Sequence, residues 1–153
     1  MVAANTTISG RLPVYAEAAY AAHMTTATLS TEAPVDAAQT LADRYVAVWH
    51  VTDPAARRAA IAALWGPGGV HYVRTLEARG YDALEERVSS SHEKNVKTAG
   101  NSFRAKNALS LRNLVTFDWD MLSQSGEVEA VGFEILVLGD DGKIAADYQF
   151  VTR

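Results

Sequence analysis

Near residue 101 the hydrophobic period of this chain changes. Before that point apolar residues recur at the three- and four-residue spacing of a helix; beyond it they alternate one for one, as a half-buried strand requires. Leu41, Tyr45, Val48 and Trp49 form one helical stripe beginning after Asp36, and Ile61, Leu64 and Trp65 form a second. Asp53-Pro54 opens that second helix with a capping side chain and a proline at the first helical position. Arg57 and Arg58 are expected on its solvent face, and Gly66-Pro67-Gly68-Gly69 stops it. Val70–Val73 reads as a short strand, and Gly80 precedes a third helix from about Tyr81 to Val96 with the row Leu84, Val88, His92. Ala99-Gly100-Asn101 closes the helical half. Val115, Phe117, Trp119 and Met121 then alternate with Thr116, Asp118 and Asp120, which places both aspartates on the outer side of a strand. Gln124-Ser125-Gly126 and Asp140-Asp141-Gly142 are turn signals separating two further strands, Glu127–Leu138 and Ile144–Val151. Helices followed by a run of antiparallel strands predict an α+β domain in which three helices cover one face of a sheet.

Composition narrows the chemistry. The 153 residues fit one domain, 48% of them hydrophobic and 21% charged. There is no cysteine, which removes thiol nucleophiles and thiolate-bound metals together. Eighteen acids against fourteen bases, with no basic run, argue against a nucleic-acid partner. No apolar run approaches the roughly 18 residues of a membrane span, so no membrane partner is expected. The four histidines, at 23, 50, 71 and 92, show no i, i+4 pairing, so no metal is expected either. Residues 1–35 are rich in Ala and Thr and carry only Arg11, Glu17 and Glu32 as charges; they read as an arm, helical over Tyr15–Met24, ahead of a domain spanning 36–153. Lacking a basic start followed by an apolar stretch, the chain is expected to be cytoplasmic.

Several short segments, in order, carry a resemblance. Arg44-Tyr45 stands eight positions before Asp53, followed by Leu64-Trp65-Gly66-Pro67, Gly69-Val70-His71-Tyr72-Val73, Gly80-Tyr81-Asp82-Ala83-Leu84 and Asp140-Asp141-Gly142-Lys143-Ile144. Over residues 38–151 the chain resembles the nuclear transport factor 2-like superfamily, the SnoaL-like or ketosteroid-isomerase-like fold. The resemblance implies a cystatin-like, cone-shaped, strongly curved antiparallel sheet with three helices on its concave side, an apolar central pocket, and a homodimer through the sheet. Members include isomerases, cyclases, dehydratases and non-catalytic modules, so the fold by itself does not choose a function.

The residues that can carry chemistry come next. Tyr45 sits on an apolar stripe, so its hydroxyl needs a buried partner; it falls where the resembling isomerases keep a phenolic oxyanion donor. Glu134 shares a strand face with Val128, Ala130, Gly132, Leu136 and Leu138, where an ionised carboxylate is costly. Such an acid is either paired or keeps its proton, and a protonated one can donate to a developing oxyanion. The resemblance likewise matches Glu134, eight residues before Gly142, to the isomerases' acid donor. The position matching their proton-shuttling aspartate holds Val73, so ketosteroid isomerisation by that route is not expected. His92, on a helical row that the resemblance turns toward the pocket, and Asp147 are the substitutes for proton transfer. Asp147 is ambiguous: the row Ile144, Ala146, Tyr148, Phe150 would turn it to solvent, whereas the resemblance turns it, with Gln149, to the pocket. Trp49, Val88, Phe117 and Trp119, with His71, Val73 and Gln149, are expected to line the substrate site. Fixed donors in a dry pocket need no cofactor. The expectation is a cofactor-free enzyme acting on a small, mostly apolar carbonyl or polyketide-like molecule, with a ligand-binding or dimerisation module as the alternative.

Overall fold

A computed structural model describes residues 33–153, all within one unit, Glu32–Arg153; the arm expected over residues 1–35, and its helix at Tyr15–Met24, lie almost wholly outside the described residues. Helix α1 spans Ala33–Val48 and α2 spans Pro54–Leu64. The Asp53 carboxylate accepts from the Ala56 amide at 2.7 Å and satisfies one of the free donors at the start of α2. At its far end Lys143 Nζ donates to the Ala62 carbonyl at 2.7 Å, serving an acceptor the helix itself leaves open. Arg57, expected in solvent, is only 5% exposed: its guanidinium donates to the Val51 carbonyl and to Ser89 Oγ, which ties α2 to the helix beyond it.

Strand β1, Trp65–Val73, starts directly from α2 and is longer than the four residues expected. It turns at Arg74, whose φ of 53° is left-handed, into β2, Leu76–Arg79. Helix α3, Gly80–Ser91, continues as a π-helical segment over His92–Thr98. Four strands follow: β3 (Ser102–Leu111), β4 (Leu114–Leu122), β5 (Val128–Leu138) and β6 (Ile144–Val151).

The six strands form one sheet in the order β2-β1-β6-β5-β4-β3. The sheet is mixed, not wholly antiparallel, because β1 and β6 run parallel. That pairing brings a strand from the helical half beside the last strand, with His71 opposite Asp147 and Val73 opposite Gln149. On the other side of β6, Leu136 faces Asp147 and Glu134 faces Gln149; Glu134 in turn faces Phe117 of β4. Two adjacent rungs on one sheet face therefore read His71–Asp147–Leu136 and Val73–Gln149–Glu134–Phe117. The helices bury this face, and Tyr45, Ile61, Trp65, Leu84, Phe117 and Leu136 are all at or near zero exposure. Each such side chain contributes on the order of 1.5–3 kcal/mol of burial.

The opposite face is also largely apolar. The β6 row that alternation alone would turn to the core has Tyr148 40% and Phe150 50% exposed, while Asp147 is fully buried. Periodicity identified the two rows of β6 but not which one points inward. Asp118 and Asp120 do lie on the outer face, yet Asp120 is buried because Arg104 Nη2 (2.8 Å) and Lys106 Nζ (2.6 Å) close over it from β3. Those two cations hold its carboxyl below the usual carboxylate range.

Candidate active site

Tyr45 reaches the sheet from the middle of α1, where the stripe that contains it packs inward. Its ring contacts those of Trp49, Trp65 and Phe117 at centroid distances of 6.0, 5.4 and 5.3 Å. This aromatic collar leaves the hydroxyl one direction to point, onto the two rungs. There it lies 2.8 Å from Asp147 Oδ2 and 3.0 Å from Glu134 Oε1. A hydroxyl has one proton to give. It can donate to only one carboxylate, so the second contact is a hydrogen bond only when the other acid supplies a proton.

The surroundings say which acid that is. Asp147 Oδ2 also lies 2.7 Å from His71 Nδ1, its partner across the parallel strand pair. Glu134 Oε1 accepts from Gln149 Nε2 at 2.7 Å, and Arg87 Nη2 reaches Gln149 Oε1 at 3.2 Å. The Glu134 carboxyl is pushed well above 4.5, first by burial and then by the charge of Asp147; the bonds from Gln149 and Tyr45 and the charge of Arg87 oppose this only in part. Burial, followed by the two nearby carboxylates, likewise raises the Tyr45 phenol well above its ordinary value, so it stays neutral. Glu134 is thus the member that retains a proton. Oε1 accepts from Gln149 and gives the Glu134 proton to the Tyr45 oxygen, which leaves the Tyr45 hydroxyl free to donate to Asp147; the buried Oε2 has no partner among the described residues.

Tyr45, Glu134 and Gln149 line a cavity of about 720 Å³, together with Trp49, Val73 and Trp119. Its rim carries the exposed Arg74, Glu77, Glu86 and Lys94, and the half-buried Arg87 lines it beside Gln149. Asp147 and His71 do not line it; they are buried one layer behind the Tyr45 hydroxyl. Val88 and Phe117, expected at the wall, are core residues behind it. His92 does not join the cluster. The chain changes to π-helical winding at His92, and its Nδ1 is 3.0 Å from the Trp49 carbonyl, which holds the ring in the core away from the cavity. Two expected acids, Glu134 and Asp147, are therefore brought within hydrogen-bond distance of the hydroxyl of a third expected residue, Tyr45, and His71 and Gln149 support them from either side.

Arg87 was missed by sequence reasoning. Its guanidinium carbon sits 4.8 Å from the centre of the Trp49 ring. It is one position before Val88, at the edge of the apolar row Leu84–Val88 and four residues after Ala83, which also lines the cavity. An arginine bordering a buried helical stripe was the available signal.

No family model matches this chain, and no curated protein sequence matches it. Solved structures do. A SnoaL-like family protein from Agrobacterium tumefaciens, proposed to be an isomerase, is 20% identical; the match covers 76% of this chain and 97% of that one with a TM-score of 0.69. A protein from Sinorhizobium meliloti, proposed to be a polyketide cyclase, is 13% identical over 72% of this chain and 93% of its own, with a TM-score of 0.55. An NTF2-like protein of unknown function from Exiguobacterium is 21% identical over 72% of this chain and 97% of its own, with a TM-score of 0.57. With three helices on one face of a six-stranded sheet and these structural neighbours, the chain has the nuclear transport factor 2-like, SnoaL-like fold.

Proposed function

We propose that this protein is a cofactor-free acid–base enzyme that acts on a compact, mostly apolar carbonyl or polyketide-like compound in the central cavity. The observation that carries the reading is the Tyr45 hydroxyl, placed 3.0 Å from Glu134 and 2.8 Å from Asp147 at the cavity wall. Glu134 turns its proton from the Tyr45 oxygen to the carbonyl oxygen as negative charge develops there, which frees the Tyr45 oxygen to accept. Tyr45 connects the cavity to Asp147: its oxygen takes a proton from the ligand as its own passes to Asp147, and His71 backs the aspartate. Fixed donors in a water-poor site stabilise developing charge without reorganising at the moment of reaction. The Agrobacterium and Sinorhizobium proteins, one proposed as an isomerase and the other as a polyketide cyclase, are in keeping with such chemistry on this fold.

Deuterium exchange at the α-carbon of propiophenone, followed by proton NMR in heavy water, tests the reading without requiring the natural substrate. Wild-type protein is expected to accelerate exchange, and Tyr45→Phe and Glu134→Gln each to lose about 10²-fold or more of that acceleration, the usual range for a positioned acid or base. Circular dichroism on the same samples confirms that the variants are folded. Binding of propiophenone with no acceleration by wild-type protein would leave a ligand-binding module instead. Val73 favours that second reading, since it stands on the cavity wall where the resemblance places an isomerase's base.

We also infer that two copies pair through the outer face of the sheet. There Tyr72 stacks on Tyr148 at 5.1 Å, Phe133 meets Phe150 at 6.5 Å, and Tyr148 and Phe150 are exposed. An apolar strip of this kind on a sheet is a common interaction surface.

A further inference from the structure

Three residues that line the cavity each carry a buried polar atom that no described residue satisfies: Arg87 Nε, Trp119 Nε1 and Glu134 Oε2. The first two can only donate, and the third belongs to a carboxyl that keeps its proton and so offers little to a cation. A ligand that completes this wall must bring acceptors. Arg87 adds a further requirement. Its contacts are a bond from Nη2 to Gln149 and the face of Trp49, and no described carboxylate makes an ion pair with it. The other charges near it are already engaged or neutral. Asp147 Oδ2 is bound to Tyr45 and His71, Glu134 holds a proton, and Glu77 on the rim is bridged by Arg79 at 2.9 Å. Beside the exposed Glu86, the rim also carries Arg74 and Lys94, so its unpaired charge is mainly positive.

A partly buried guanidinium without an anion is costly, whereas its planar fork matches a carboxylate in two-pronged fashion. Trp49 fixes the plane of that fork and Gln149 fixes one prong, leaving Nε directed elsewhere. Through Gln149 the guanidinium is one amide group away from Glu134, so the anion site and the proton donor are a few bonds apart.

We propose that the ligand of this cavity is a carboxylate-bearing carbonyl compound, an oxo acid whose carboxylate is received by Arg87 and whose carbonyl oxygen faces Glu134. This rests on the cavity being the ligand site and extends the proposed function by naming the substrate's charge.

The test compares 3-benzoylpropionate with its methyl ester, which differ in the anion and share the aryl ketone. Calorimetric titration at neutral pH is expected to show the acid binding at least about tenfold more tightly to wild-type protein. Arg87→Met should erase that preference while moving the ester's affinity by no more than about threefold. Should that variant fail to fold, Arg87→Lys keeps the charge, loses the fork and is expected to lower the preference by about threefold or more. Equal or tighter binding of the ester, an undiminished preference in the Arg87 variants, or no binding of either compound at millimolar concentration overturns the proposal. The propiophenone experiment fails independently. Protein that binds the acid selectively but exchanges no protons loses the enzyme reading and keeps this one; protein that exchanges protons yet treats acid and ester alike does the reverse.

Discussion

Glu134 shows how one residue can be legible in chemistry and only partly legible in role. An acid within an apolar strand row had to be paired or protonated, and that much follows from Val128, Ala130, Gly132, Leu136 and Leu138 around it. The consequence can be read from stability. In the folded protein its carboxyl titrates well above 4.5, and in the unfolded chain near that value. Below it both states hold the proton. As pH rises the unfolded chain ionises first, so the stability contributed by the protonated form is lost progressively up to the folded-state value. Glutamine cannot ionise, so Glu134→Gln should gain in Tm relative to wild type as pH rises above the ordinary carboxyl value of 4.5, each tenfold difference in proton affinity being worth about 1.4 kcal/mol. Thermal melts at rising pH check this, and a Tm difference independent of pH would mean that Glu134 ionises normally. Asp147 and His71 were less accessible to sequence reasoning. Both flanks of Asp147 are apolar, so alternation alone could not choose its direction, and the value of His71 depends on a partner 76 residues away.

At the level of elements, most of what the period change implied is present. Three helices precede the antiparallel strands, and Asp53 caps α2. Two features escaped because they are not periodic. The parallel β1–β6 pairing is a long-range choice that no local pattern records, and none records the π-helical winding over His92–Thr98; the row Leu84, Val88, His92 is buried as its spacing implies, but in the core and not at the cavity. One contact between strands sets the cavity wall directly. Gly132 on β5 lies opposite Trp119 on β4, and a methyl group there would overlap the Trp119 indole and crowd the Phe150 carbonyl. Gly132→Ala is expected to cost about 1–3 kcal/mol, as overpacking usually does, because the indole has to move. Since that indole lines the cavity, affinity for 3-benzoylpropionate should fall with it. Chemical denaturation and calorimetry measure the two effects; an alanine variant of unchanged stability and affinity would show that the sheet yields there without moving Trp119.

For the molecule as a whole, the outer sheet face makes the sharper prediction. Phe150 is 50% exposed beside Tyr148 and Phe133. Light scattering is expected to give twice the chain mass for wild-type protein, and Phe150→Asp, which puts a charge into the strip, should return the mass to that of one chain without moving the cavity residues on the opposite face. A wild-type mass equal to one chain refutes the pairing. The reach of the site along the chain has another effect. Tyr45 joins Asp147 across 102 positions and Glu134 across 89, and Asp147 belongs to the last strand in the sequence. During synthesis, every earlier strand and all the helices leave the ribosome before the residues that close the cluster. Until β6 docks between β1 and β5, Tyr45 lacks one of its two acids and His71 lacks its aspartate. The cluster is therefore complete only once the last strand is in place, and a chain cut short ahead of Asp147 lacks the carboxylate that Tyr45 and His71 share.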